Sequence, residues 1–339
     1  MAGLLGAAIV IVTFAFVLPR IASYADVWAV IRGLSWPWIL ALAAAAALNV
    51  VTFAPPWMVA LPGLGFRAAL ALTQAATALA MIVPGGVAAG VAGAVAMLRS
   101  WGFPGRDVGR AVTLASLWSQ FTNLTYPAVA LALLTAQGGQ SPALVTASFV
   151  AVAILGVVVA LLVLVLVSGR LARDLGDALA RLATWGREKL RRPGPVGWSG
   201  TSFERFRDDA GHLLARRWHV LTLASFAGSL TVFVVLLASL RALGVSSSEV
   251  TAVEAFAAWA LVRLIGTVPI TPGGIGIVEL GLTGALVGFG GSNAGVVAAI
   301  LVFRFLTMVP TLVLGLFAAA TWRRHRRRAP DRAPATPGT

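Results

Sequence analysis

The stretch VPITPGGIGIVELG, residues 268–281, sets two prolines, four glycines and one carboxylate between two apolar segments. Pro269 and Pro272 each lack an amide proton, and each disfavours helix at the residue before it. A helix running in from about residue 250 is therefore expected to stop near Thr267, and a new one to start near Gly273. Backbone interrupted in this way cannot face lipid, because an unpaired amide or carbonyl costs several kcal/mol there. It has to lie inside a bundle or line a wet cavity. The amides of Gly273, Gly274 and Ile275 are expected to be open at the start of the new helix. A helix start of that kind attracts phosphate or carboxylate.

The rest of the chain fixes the solvent in which this stretch sits. Its 339 residues are 59% hydrophobic and only 11% charged, with mean hydropathy +0.90, where a soluble domain is about a quarter charged. Apolar runs of about 20 residues recur, each able to cross a hydrocarbon core of roughly 30 Å. The fold class expected is all-α, a polytopic membrane helix bundle. Six firm spans are read at 2–19, 37–61, 107–136, 142–168, 218–240 and 294–321. The first has no basic start or small-residue cleavage site, so it reads as a span and not as a signal peptide. Between it and the second span, residues 20–38 repeat apolar positions at helical spacing and read as a helix in the interface.

Charge placement sets the orientation. The net charge is +14, but the basic residues cluster between spans and at the C-terminus, as topology signals and anionic lipids require, and not as a nucleic-acid surface would. The insertion 169–217 carries eleven Lys/Arg against six Asp/Glu and reads as an amphipathic, cytoplasmic linker between a membrane half at 1–168 and another at 218–321. A basic tail follows at 322–339. Under the positive-inside rule both termini are cytoplasmic. Arg20 and Arg32 then fall outside, against the rule.

Two further apolar segments are split by Pro-Gly-Gly: 66–98 at Pro84, Gly85 and Gly86, and 250–290 at Pro272, Gly273 and Gly274. By span counting the first begins and ends in the cytoplasm and the second outside. Each is either a re-entrant hairpin or a pair of short crossings. PGGVAAGVAGAVAML from Pro84 and PGGIGIVELGLTGAL from Pro272 also resemble each other, with Gly93 matching Gly281. Opposed, Gly/Pro-interrupted segments in two halves are what an inverted-repeat transporter presents at its binding site.

Charge at membrane depth is sparse: Glu254, Arg263, Glu279 and Arg304, with Arg241 close enough to a span end to snorkel. Such charges cost about 2.5–3.5 kcal/mol each on insertion scales, so they face the bundle interior. Two readings stay open. Glu279 and Arg304 form an ion pair that fixes packing, or Arg263 and Arg304 are cations for an anionic headgroup with Glu279 as counter-charge or proton acceptor. Gly276, Glu279 and Thr283 form one helical stripe, and Gly281, Gly284 and Gly288 form another suited to close packing. Gln74, Gln120, Asn123 and Thr125 are candidates to line a cavity or to bond between helices.

Signals for chemistry are poor. His212, His219 and His325 lack metal-ligand spacing, and there is no cysteine. No P-loop or nucleophile elbow occurs, and GVAAGVAG (86–93) follows no strand. No cofactor, metal site or enzymatic activity is expected.

TPGGIGIVELG (271–281), VPGGVAAGVAGAVAMLRSWG (83–102) and the arginine in FRFLTMVPTLVLG (303–315) resemble the membrane region of the lysylphosphatidylglycerol synthase and flippase-like family. The resemblance spans roughly 1–322. It implies a bacterial inner-membrane protein that moves a lipid or lipid-linked headgroup between leaflets, and it puts Pro272, Gly273, Gly274, Gly276 and Glu279 at the motif positions. The 17 residues after Trp322 are too few for the synthase's soluble aminoacyl-transfer domain, so lysyl transfer is not expected. The function expected is a flippase-like carrier of an anionic phospholipid or polyprenyl-phosphate-linked headgroup. The alternative is a membrane anchor that recruits a cytoplasmic lipid-modifying enzyme or glycosyltransferase through 169–217, and a homo-oligomer is a further expected partner state.

Overall fold

The computed structural model describes residues 28–29, 31–82, 86–137, 200–266 and 271–322, with scattered positions between 153 and 185. The expected span at 2–19, nearly all of that at 142–168, Pro84, Gly85, Pro269 and the tail from 323 lie outside the described residues.

Among the described residues the chain is helical and has no strand. Its helices are α1 (Trp36–Thr52), α2 (Ala54–Ala60), α3 (Phe66–Ile82), α4 (Gly86–Ser100), α5 (Gly105–Ala136), α6 (Gly200–Ala242), α7 (Ala252–Ile265), α8 (Ile277–Gly288) and α9 (Asn293–Thr321). Three stretches are long and apolar enough to cross a membrane: Trp36–Ala60, Arg216–Ala242 and Asn293–Thr321. The amphipathic piece before residue 217 and the span after it are one 43-residue helix, α6, about 65 Å long at 1.5 Å per residue. No proline interrupts it. Pro127 and Pro310 lie inside α5 and α9, and each deprives the carbonyl four residues earlier, at Asn123 and Leu306, of its helical donor.

Two buried clusters mark the two ends of the bundle. One joins Leu61, Leu64, Leu98, Val108, Leu114 and Ala318, and the exposed Arg67, Arg99, Arg216 and Arg217 surround it. The other, at the opposite end, joins Leu240, Val245, Val250, Leu286 and Val296. Helices α5, α6 and α9 contribute to both.

The two broken segments are helical hairpins. α3 and α4 pack against each other through glycines: a methyl group on Gly90 would stand 2.6 Å from the Ala76 carbonyl oxygen, and one on Gly86 2.8 Å from that of Ala80. Small residues permit this backbone approach, which lets dispersion hold helices together where lipid supplies no hydrophobic force. Both ends of this hairpin are at the basic end of the bundle. In the second hairpin, a methyl group on Gly281 of α8 would stand 2.9 Å from Val262 of α7. Its entry and exit both lie at the opposite end, where Gly290 abuts the Glu249 carbonyl and Gly291 abuts Val250 and Val296. Gly284 and Gly288 have no neighbour within 4 Å of an added methyl group. Of the expected glycine stripe, Gly281 alone packs.

The turn of the second hairpin meets the end of α3 and the middle of α9. A methyl group on Gly273 would lie 3.2 Å from Met308 Cε and 3.6 Å from Met81 Cγ. Met81 is the penultimate residue of α3, and Met308 stands midway along α9. Each hairpin therefore reaches about halfway along a helix roughly 43 Å long, the two coming from opposite ends. α9 is bound to both: Gly315 sits against the backbone of Gln74 and the side chain of Ala78 on α3, and Arg304 holds the second tip.

Candidate functional site

The turn at residues 271–276 departs from the helix start expected at Gly273. Pro272–Gly274 form a single 3-10 turn, and α8 begins only at Ile277. Gly273, Gly274 and Gly276 take φ of +61°, +67° and +88°, a left-handed region that residues with a Cβ enter only at a cost of roughly 1–2 kcal/mol. A right-handed helix cannot start through them. The Gly274 amide is not open either, since it donates to the Thr271 carbonyl at 3.1 Å. Ile275 is half-buried.

Glu279 and Arg304 close this turn. Glu279, 2% exposed, accepts the Gly276 amide on Oε2 at 2.6 Å and Arg304 Nε on Oε1 at 2.7 Å. Arg304, its side chain 14% exposed, donates through Nη2 to the Gly273 carbonyl at 2.8 Å. Both oxygens of the carboxylate and two nitrogens of the guanidinium are thus engaged within the protein. The ion-pair reading of Glu279 describes this arrangement: the pair ties the Pro-Gly-Gly turn to the middle of α9. Thr283, one helical turn on, is 1% exposed, and its hydroxyl has no partner. The hydroxyl of Thr271, beside the turn, has none either.

Arg263 sits in different company. Its Nε donates to Asn123 Oδ1 at 2.8 Å, its Nη2 to Ser229 Oγ at 3.2 Å, and its guanidinium lies 5.4 Å from the Trp259 ring centroid. Asn123 in turn takes its place from Gln120, whose Oε1 accepts its amide at 3.0 Å. Tyr126, which stacks edge-on with Trp259 at 5.0 Å, sends its hydroxyl to the Phe226 carbonyl at 2.7 Å. Among the described residues no carboxylate pairs with Arg263.

The remaining expected positions divide. Gln74 is buried and donates to the Val50 carbonyl at 3.2 Å, while its Oε1 has no partner. Gly86 opens α4 against Ala80. Thr125 bonds back to the Phe121 carbonyl of its own helix, so it bridges no helices. Glu254 is engaged within its own helix start. It is the third residue of α7 and forms a reciprocal cap with Thr251, accepting that residue's amide at 2.8 Å. A carboxylate belongs there because the first amides of a helix have no partners in the helix. Arg241 does not snorkel. It turns back on the loop after α6, donating to the carbonyls of Val245 and Val250 at 2.8 Å each.

Ser229, Trp259, Met81 and Met308 were not anticipated. Trp259 was within reach, since it precedes Arg263 by four residues and so shares its helical face. Nothing in the local pattern marks Ser229, which reaches Arg263 across 34 residues.

No curated protein matches the chain. The family described as the lysylphosphatidylglycerol synthase TM region matches residues 3–315, an interval that takes in both hairpins, the Glu279–Arg304 pair and Arg263. The chain belongs to the lysylphosphatidylglycerol synthase TM region family.

Proposed function

We propose that this membrane protein is a flippase-like carrier that moves the headgroup of an anionic phospholipid, or of a lipid-linked polyprenyl phosphate, between leaflets without chemically altering it. One observation carries the reading: two half-length hairpins enter from opposite ends of α9 and meet at Met81, Gly273 and Met308. In a bilayer these would be re-entrant hairpins whose tips divide the interior at mid-depth, as the two halves of an inverted-repeat transporter do. Loosening one hairpin would open the centre to one face, and loosening the other would open it to the other face. The exposed arginines around the first hairpin favour a cytoplasmic position for that end under the positive-inside rule, and the reading takes the bilayer to be the bacterial inner membrane. No bound cofactor enters the scheme.

The test is exchange of labelled phosphatidylglycerol between leaflets of proteoliposomes. Wild-type protein should accelerate exchange over empty liposomes, and Gly273→Val, which wedges the tips, should abolish it while the protein remains folded. Exchange at the empty-liposome rate for the wild type would end the transport reading. A second reading, an anchor for a cytoplasmic enzyme, draws on α6, which continues some 16 residues before its apolar stretch begins at Arg216. It requires a captured partner that is lost when residues 169–210 are deleted.

A further inference from the structure

We infer that Arg263, and not Arg304, is the cation that receives the transported headgroup, and that it takes a singly charged phosphodiester in preference to a pyrophosphate. This rests on the carrier reading and deepens it. Between residues 255 and 322 the only charged side chains are Arg263, Glu279 and Arg304. The apolar segments 33–66, 68–98, 111–168 and 218–240 contain no Asp, Glu, Lys or Arg. Charge at depth can therefore be counted. Glu279 and Arg304 cancel each other at 2.7 Å, and one positive charge is left over.

That charge is presented in a form suited to an oxyanion. Asn123 and Ser229 satisfy Nε and Nη2 through neutral oxygens, and Nη1 has no acceptor among the described residues. Neutral partners orient a guanidinium but do not neutralise it, and its planar donors match two phosphate oxygens. The Trp259 ring lies 5.4 Å from the guanidinium, a cation–π contact that, like the two neutral oxygens, leaves the charge uncancelled. A monoanionic diester leaves the interior neutral. A pyrophosphate, carrying two or more negative charges, would leave at least one unpaired in low dielectric, where single unpaired charges are costly. Arg304 is excluded as the receiving cation because withdrawing it would strand Glu279, which is the more deeply buried partner.

The experiment is lipid binding to the purified protein, with native mass spectrometry as the readout and, as a second, the part of the intrinsic fluorescence quenching that is lost in Trp259→Phe. The ligands are short-chain phosphatidylglycerol, undecaprenyl pyrophosphate, glycerol 3-phosphate and inorganic phosphate. The wild type should bind phosphatidylglycerol at least about tenfold more tightly than the pyrophosphate, the scale of one charge-assisted interaction. Glycerol 3-phosphate and inorganic phosphate, a monoester and the free ion, are mostly doubly charged near neutral pH and should bind more weakly than phosphatidylglycerol; tighter binding by either would count against the preference for a single charge. Arg263→Gln should weaken phosphatidylglycerol binding about tenfold or more, and Arg263→Lys by less. Glu279→Gln/Arg304→Gln, which removes the pair and leaves the net charge at depth unchanged, should retain binding. Equal binding by wild type and Arg263→Gln, or preference of the wild type for the pyrophosphate, overturns the inference. If leaflet exchange persists in Arg263→Gln at the wild-type rate, the inference fails and the carrier reading survives. If lipid binding depends on Arg263 but wild-type exchange equals that of empty liposomes, the reverse holds.

Discussion

Removing the Glu279 carboxylate is the most informative single perturbation. In Glu279→Ala, Arg304 keeps its bond to the Gly273 carbonyl but loses its counter-ion, and the Gly276 amide loses the oxygen 2.6 Å away. Stranding one member of a buried ion pair costs about 3–5 kcal/mol, and an orphaned buried amide adds about 1–3 kcal/mol. Arg304 retains 14% exposure, so water relieves part of the first cost, and the expected loss is roughly 4–6 kcal/mol. That is a large share of the 5–15 kcal/mol that separates folded from unfolded states in proteins generally. The double variant Glu279→Ala/Arg304→Ala should lose less than Glu279→Ala alone, because no charge is left behind. The assay is reversible unfolding in mixed micelles by titration with sodium dodecyl sulfate, run as a double-mutant cycle. A loss below about 1 kcal/mol for Glu279→Ala, or additive effects of the two single changes, would refute the claim that the pair fastens the turn to α9.

Four further outcomes can be measured on the same protein. Gly90→Ala drives a methyl group to 2.6 Å from the Ala76 carbonyl and should destabilise by about 1–3 kcal/mol through overpacking of α3 on α4. Gly284→Ala, with open space around it, should be neutral or stabilising by up to about 1 kcal/mol. Thr251→Ala removes the hydroxyl that caps the Glu254 amide at 3.2 Å and should cost about 1 kcal/mol, with increased amide exchange confined to the first turn of α7. Pro310→Ala should return a donor to the Leu306 carbonyl, raising unfolding stability while slowing leaflet exchange in proteoliposomes.

How much of this was legible beforehand depends on whether the cause is local. The breaks at Pro84 and Pro272 could be read, because proline and glycine act on their own backbone. The spans over 37–61, 218–240 and 294–321 could be read because a hydrocarbon core demands length and apolarity from each segment separately. The helix start at Gly273 was misplaced because Pro-Gly-Gly is compatible with both a helix start and a left-handed turn. The choice is made by the Glu279 carboxylate, which reaches back to the Gly276 amide while Arg304 pulls on it from another helix. Glu254 looked like Glu279 in sequence, a lone carboxylate in an apolar run. What separates them is position relative to the helix end, and Thr251 three residues earlier signalled the cap. The division of labour between Arg263 and Arg304 was beyond reach, since it depends on which of them Glu279 meets across 25 residues.

The proline in α9 has a mechanical consequence. Pro310 falls between Arg304, which grips the second hairpin, and Gly315, which is seated on the first. α9 is thus two stiff rods joined at their weakest link, each carrying one hairpin as cargo. In the proposed carrier, a flex at that joint would move the two hairpins relative to each other while Arg304 keeps its hold on one and Gly315 on the other.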